Sequence, residues 1–367
     1  MNYYEKELNS IKKVNRLRTR KLFDTNLIDL ASNDYLGLSS KKSLLKKTYK
    51  KIKQEKYFSP KASLLVNGYT QIHQDFEKKL CELNGFESGI VVGSGFLANI
   101  ALIESLVRKK DVVFIDEQYH ASGMLATKLV QGEVIVFKHN DTVDLENKIS
   151  NLEYTPNRII IAIEGVYSMA GDIAPKEFDT ISKKYNAILI VDEAHSSGVI
   201  GDNLLGWFDY HGISIESNHI KMGTLGKAYA SYGAYILASA HIIHFLENRA
   251  KPIIYGTAPS LFDISLALTN LCYLQKKKEK IKKKIRQNQA SVKMILDLDC
   301  DSLIVPIEIG DNKKVIEIQN RLIEKGYVVG AIRQPTVTQA IIRLIIKLDI
   351  EKNDLKEVLR YLKIQIS

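Results

Sequence analysis

Ile188-Leu189-Ile190-Val191-Asp192-Glu193-Ala194-His195 is four apolar residues without a break, followed at once by an acid pair and a histidine. An apolar run of that length suits a strand buried on both faces, the condition of parallel sheets whose two sides are covered by helices. The same pattern recurs between about residues 85 and 240. Gly89-Ile90-Val91-Val92, Val112-Val113-Phe114-Ile115, Val134-Ile135-Val136-Phe137, Ile159-Ile160-Ile161-Ala162-Ile163 and Ala234-Tyr235-Ile236-Leu237 alternate with polar or glycine-rich turns and helical segments. Strands alternating with helices predict an α/β fold with a mostly parallel central sheet sandwiched by helices.

At 367 residues the chain is too long for one ordinary core and suits a large domain plus a smaller one. Residues 1–45 read as an N-terminal arm, 46–270 as the large domain and 271–367 as a small α/β domain. In the last, Leu303-Ile304-Val305-Pro306-Ile307 and Ile341-Ile342-Arg343-Leu344-Ile345-Ile346 read as strands. The hydrophobic fraction of 45% and charged fraction of 26% are those of an ordinary globular protein, so neither metal nor disulfide is needed to hold the core. Cys81, Cys272 and Cys300 form no CxxC pair, and a reducing, cytoplasmic setting is expected. No stretch approaches the ~20 apolar residues of a membrane span, and Met1 to Phe23 lacks the continuous apolar segment of a secretory signal. The net charge of +10 is mostly scattered lysine. Its densest run, Gln275 to Lys284, reads as a solvated helix face, with a phosphate-rich partner as the second reading; neither nucleic acid nor membrane is expected.

In parallel sheets ligands bind beyond the carboxyl ends of the strands, and the chemically informative residues follow those ends. Ser94-Gly95-Phe96 follows one run, His120 another, Glu164 to Ser168 a third and Asp192 to His195 a fourth. Lys227 lies in Gly223-Thr224-Leu225-Gly226-Lys227-Ala228, a small-residue loop that lets a ligand approach closely. A lysine that attacks a carbonyl must be desolvated or set beside another cation. Asp192, directly after a buried strand, can pair with a protonated pyridine nitrogen and make the ring a sink for electrons. His195 can then reach the ring's phenolic oxygen, and His120 can stack over the ring. The glycine-rich start of the helix at Ser94-Gly95-Phe96 offers backbone N–H groups to a phosphate, with Ser168 and Thr224 as hydroxyl donors.

Each residue alone has a bland alternative: a surface lysine in a turn, a helix-capping aspartate, a satisfied histidine at a strand end. Their succession along adjacent strand ends favours pyridoxal 5'-phosphate carried as a Schiff base on Lys227. Asp192-Glu193-Ala194-His195 also matches a helicase-type nucleoside triphosphatase, but that chemistry needs GxxxxGK[ST] upstream. The only GK pair, Gly226-Lys227, lies downstream and is followed by Ala228. His195 has no HExxH partner, so no metal is expected. A non-catalytic protein on the same fold would be expected to lack Lys227 or Asp192, and both are present.

With these residues assembled, the chain resembles the α-oxoamine synthases, fold-type I pyridoxal-phosphate transferases that join an amino acid to an acyl thioester with loss of CO2. The resemblance runs from about residue 15 to the C-terminus. It is carried by Ser32-Asn33-Asp34-Tyr35-Leu36-Gly37-Leu38, by Ile163-Glu164-Gly165-Val166-Tyr167-Ser168-Met169-Ala170-Gly171-Asp172 and by Gly223 to Lys227. It implies Lys227, His120 and Asp192 as catalytic residues, with Glu164 among the cofactor contacts and Asn33 and Tyr255 at substrate positions. Ile332-Arg333-Gln334-Pro335-Thr336-Val337 resembles the segment whose arginine holds the amino-acid carboxylate, with Thr336 close to the substrate. Thr257 matches a residue given to the neighbouring subunit's phosphate, which implies a homodimer.

The lack of a long leader and Leu64-Leu65-Val66-Asn67-Gly68, where relatives carry an RLVSG-like run, resemble the branch that condenses L-alanine with a pimeloyl thioester of coenzyme A or an acyl-carrier protein. In that branch the position that meets the distal carboxylate falls in Leu17-Arg18-Thr19-Arg20, at Arg18 or Arg20 with Arg18 the better match, and a planar charged guanidinium is suited to it. Glycine with acetyl-CoA and glycine with succinyl-CoA are the alternatives. One departure is Ser59-Pro60-Lys61-Ala62-Ser63-Leu64, where relatives have a GSGxSR stretch.

Overall fold

The computed structural model describes residues 3–366. Its strands, in chain order, are β1 (Ile28–Leu30), β2 (Ser88–Val92), β3 (Val112–Asp116), β4 (Glu133–Phe137), β5 (Ile159–Glu164) and β6 (Ile188–Asp192), then β7 (His219–Thr224), β8 (Ala234–Ala238), β9 (Ile304–Gly310), β10 (Tyr327–Ile332) and β11 (Ala340–Ile345). The chain forms two compact units. The larger comprises Leu36–Ser168 and Asp172–Lys282; the smaller gathers the chain up to Tyr35, Met169–Gly171 and the chain from Lys283 onward.

The larger unit is built on a seven-stranded sheet of order β2-β8-β7-β6-β5-β3-β4. Every pairing is parallel except those of β8, which runs antiparallel to both β2 and β7. The mostly parallel α/β sheet predicted from the sequence is therefore present. Every residue of β3 is buried, and all of β5 and β6 beyond the first, which is why these strands read as unbroken apolar runs. Alternation along the strands serves two helical layers. Val113, Ile160, Ile190 and Ile236 join Leu102 and Ile103 of the helix Gly95–Leu106 in one cluster. On the other face Tyr235 meets Phe76 edge to face at 6.5 Å, and Phe137 meets Phe178 at 5.6 Å. Strand β7 is not an unbroken apolar run, because His219 and Lys221 interrupt it. Both are buried with partners, His219 with Asp179 at 2.9 Å and Lys221 with Glu193 at 3.6 Å, as buried polar groups must be.

Local chemistry starts and stops the helices. Thr70 and His73 close a reciprocal capping box at the start of Gln71–Asn84, and Gly85 ends it at φ +78°. Ser94 caps Gly95–Leu106 by accepting from the Leu97 N–H at 3.3 Å, an interaction worth about 1 kcal/mol. The segment that departs from its relatives is held by Ala62 and Ser63: the Ala258 N–H donates to the Ala62 carbonyl at 3.0 Å, and Ser63 forms an isolated antiparallel bridge with Thr257.

The smaller unit has a four-stranded sheet of order β1-β10-β11-β9, with β1 parallel to β10 and the other pairs antiparallel. The helix Asn312–Glu324 is capped by Asp311, whose Oδ1 accepts from the N–H groups of Lys313 and Lys314. The run Gln275 to Lys284 lies within the helix Leu261–Leu296, where Lys276, Lys277 and Lys280 are exposed and Ile281 is buried. That is the solvated face expected of it. Among the described residues no helix is long and apolar enough to cross a membrane.

Candidate active site

The carboxyl edge of the larger sheet brings the predicted residues together. Strand β6 delivers Asp192, whose Oδ1 accepts from the Ala194 N–H at 2.9 Å and whose Oδ2 accepts from Asn99 Nδ2 at 2.9 Å. Strand β5 ends at Glu164, whose Oε2 accepts from the Ser168 N–H at 3.1 Å. Burial drives the Glu164 carboxyl well above the usual carboxylate range; the charge of Asp192 adds to this and that of Lys227 opposes it. After β7 the chain turns back because Thr224 Oγ1 donates to the Gly233 carbonyl at 3.1 Å and accepts from the Gly226 N–H at 3.3 Å. Lys227 then sits with its Nζ 2.6 Å from His195 Nε2. Ala228 backs the lysine against Gly198, at φ +84°, where a Cβ would come within 2.5 Å of the Ala228 Cβ.

These groups surround a cleft of about 170 Å³. Gly95, Phe96, His120, Glu164, Asp192, His195, Thr224 and Lys227, all singled out by the sequence, line it. The donor set fits pyridoxal phosphate: an amine, a buried carboxylate, two imidazoles and the N-terminus of a twelve-residue helix share one cavity. Glu164 Oε1 is also buried without a hydrogen-bond partner, the condition of a polar atom whose partner is a ligand. Ser94 and Ser168 are not among the lining residues; the Ser94 hydroxyl caps the helix and Ser168 is buried behind Glu164. Tyr255 and Thr257 are exposed and also lie outside the lining.

The remaining predicted residues belong to the smaller unit. Arg18 Nη2 donates to Thr336 Oγ1 at 2.9 Å, and Arg333 Nη1 donates to the Asn15 carbonyl at 2.6 Å. The two sequence-distant segments, 15–18 and 333–336, are thus bonded to each other. Asn33 Oδ1 accepts from Arg343 Nη1 at 3.0 Å.

Outside the lining of the cleft, His139 ties three strand-end loops. Its Nδ1 lies 3.1 Å from Asp116 Oδ1 and its Nε2 2.8 Å from Asp172 Oδ2, while Tyr167 packs edge-on at 4.3 Å between centroids. Asp116 also starts the turn to His120 by accepting from the Gln118 N–H at 2.8 Å. Burial works against charging His139, but Asp116 and Asp172 outweigh it and push its pKa from 6.5 to about 9. A raised histidine pKa stabilises the folded chain fully below about pH 6.5, and that contribution is lost as pH rises through about 9. Denaturant unfolding near pH 6 and near pH 9.5 should show this loss in the parent chain and little of it in His139→Gln.

Asn99, Ser122 and Tyr119 belong to the same site, and residue type alone does not mark them. The spacing of Gly95 and Asn99, four apart on one helix, places both on the cleft side; that was the available signal for Asn99. Ser122 and Tyr119 give none, because their role depends on Asn99, more than 15 residues away in sequence.

The chain matches the family model described as aminotransferase class I and II over residues 25–362. It is 45% identical to the 8-amino-7-oxononanoate synthase of Helicobacter pylori strain J99, covering 99% of each chain. Among solved structures it resembles the 8-amino-7-oxononanoate synthase of Francisella tularensis at 28% identity and a TM-score of 0.77, covering 94% of this chain and 98% of that one. A serine palmitoyltransferase from S. paucimobilis with bound PLP and myriocin superposes with a TM-score of 0.90 at 23% identity, over 100% of this chain and 98% of that one, a likeness of fold alone. With nearly the full length matched at this identity, the chain belongs to the class I and II aminotransferase family and, within it, to the α-oxoamine synthases represented by the 8-amino-7-oxononanoate synthases.

Proposed function

We propose that the chain condenses L-alanine with a pimeloyl thioester, releasing the thiol carrier and CO2 to give 8-amino-7-oxononanoate. The observation that carries this reading is Lys227 Nζ at 2.6 Å from His195, beside buried Asp192, in a chain 45% identical to an 8-amino-7-oxononanoate synthase. Pyridoxal phosphate, when bound, supplies a ring that accepts the electron pair left at the amino acid's Cα. Lys227 would anchor it, and its free Nζ would take the Cα proton. Asp192, oriented by Ala194 and Asn99, would hold a proton on the ring nitrogen, and His195 would bond the phenolic oxygen. The N–H groups at Gly95 and Phe96 receive the phosphate, and Glu164 borders the same cleft.

Arg333, with Thr336 beside it, orients the alanine carboxylate, and Asn33 and Tyr255 complete the substrate positions. Thr257 serves the partner copy in a homodimer, in keeping with its exposure on the single chain. The described cysteines form no disulfide, in keeping with a cytoplasmic site of action.

Arg18 meets the distal carboxylate of the acyl chain. A charge-assisted hydrogen bond contributes about 1.5–3 kcal/mol. Arg18→Ala should therefore raise the KM for the pimeloyl thioester about 10- to 100-fold and leave the KM for alanine nearly unchanged. Glycine with acetyl-CoA needs no such clamp. Steady-state rates with alanine or glycine against pimeloyl or acetyl thioester test the assignment, and faster turnover of glycine with unchanged kinetics in Arg18→Ala would reject it.

A further inference from the structure

A set of directed hydrogen bonds joins Asp192 to His120. The Ser122 backbone N–H donates to His120 Nδ1 at 3.3 Å. A backbone N–H can only donate, so Nδ1 is an acceptor and carries no proton. Ser122 Oγ lies 2.7 Å from the same nitrogen, and against a nitrogen without a proton the hydroxyl is the donor. The hydroxyl oxygen in turn accepts from Asn99 Nδ2 at 2.9 Å. The same Nδ2 gives its second hydrogen to Asp192 Oδ2 at 2.9 Å. A carboxylate only accepts, so this bond fixes which end of the Asn99 amide is nitrogen. Tyr119 completes the set by donating to Asn99 Oδ1 at 2.8 Å. Asn99, Tyr119 and Ser122 are all buried, which shields the bonds from competing water.

We propose that the bonds from Asn99 to Ser122 to His120 hold His120 as a neutral imidazole with its one proton on Nε2, so that His120 acts as a hydrogen-bond donor to an oxyanion and not as a base. The tautomer follows from the bonds alone; the identity of the oxyanion, the acyl carbonyl oxygen under attack, rests on the function proposed above. His120 lines the cleft and is the catalytic residue of the set, whereas Asn99 and Ser122 position it. A neutral imidazole can polarise a carbonyl through its N–H, and a donor fixed in advance needs no reorganisation as charge develops. The surroundings favour the neutral ring: burial and the charge of Lys227 depress its pKa, against the opposing pull of Asp192.

The test is 15N NMR of the full-length protein labelled at histidine, with and without cofactor, the His120 signals being assigned by their loss in His120→Gln. An unprotonated Nδ1 and a protonated Nε2 are expected in the parent protein. In Ser122→Ala, which keeps the backbone N–H and loses the hydroxyl, Nδ1 should stay unprotonated and its resonance should move toward that of a weakly hydrogen-bonded acceptor, and Ser122→Thr, which keeps the hydroxyl, should restore the parent shift. In parallel, kcat should fall about tenfold in Ser122→Ala, with the KM for alanine unchanged, and recover in Ser122→Thr. A proton on Nδ1 in the parent protein, or a Ser122→Ala spectrum identical to the parent's, would overturn the proposal. The spectra decide the tautomer even for a protein that fails to turn over alanine and pimeloyl thioester, so the two readings fail separately.

Discussion

Lys227→Ala lowers kcat by about ten-thousand-fold or more and removes the visible absorbance of the lysine-bound cofactor, while the chain stays folded. Lys227 is the only amine among the residues lining the cleft, and the proposed function rests two tasks on it: anchoring the cofactor and then moving the Cα proton. General-base catalysis alone contributes about 10²–10⁴-fold. Loss of the anchor adds to that. Folding is spared because Lys227 is only half-buried and its loop is held by Thr224, Gly226 and Gly233. Lys227→Arg should be no better, since a guanidinium stays protonated and cannot serve as a base. Stopped assays and absorbance spectra of the purified variants check both parts; turnover within tenfold of the parent would remove the lysine from the mechanism.

Asp192→Asn carries the second large effect, a loss of about 10²–10³-fold in kcat. The substitution keeps the size of the side chain and an oxygen that can accept from Ala194 or Asn99, so the fold is preserved. What disappears is the negative charge proposed to hold a proton on the ring nitrogen, and removing one such preorganised electrostatic contact costs about that factor. The change also removes the charge that adds to the upward push on Glu164, so the Glu164 carboxyl should ionise at lower pH in this variant than in the parent. Steady-state kcat measured at saturating cofactor separates the loss of chemistry from any loss of affinity.

The part of this architecture that is legible in the sequence is the part written in unbroken apolar runs. Strands β3, β5 and β6 are buried almost throughout, so periodicity alone locates them, and their carboxyl ends locate Asp192, Glu164 and His120. Strand β7 is central but carries His219 and Lys221, whose burial is made tolerable by Asp179 and Glu193, partners that no local pattern reveals. The same holds for the cleft. Lys227, Asp192 and His195 stand out by residue type and by their place after strands. Asn99 and Ser122 are ordinary helix residues until the fold sets Asn99 between Asp192 and Ser122. The bonding of residues 15–18 to residues 333–336 is likewise a product of the fold, although resemblance had already marked Arg18, Arg333 and Thr336 one by one.

Release of labelled CO2 from L-alanine carrying 13C in its carboxyl group, followed together with release of free thiol from a pimeloyl thioester, measures the proposed condensation itself. One CO2 per thiol, dependent on pyridoxal phosphate and accompanied by a product with the mass of 8-amino-7-oxononanoate, is the predicted result. Thiol release without CO2, or turnover of glycine and an acetyl thioester at a higher rate than alanine and the pimeloyl thioester, would contradict it.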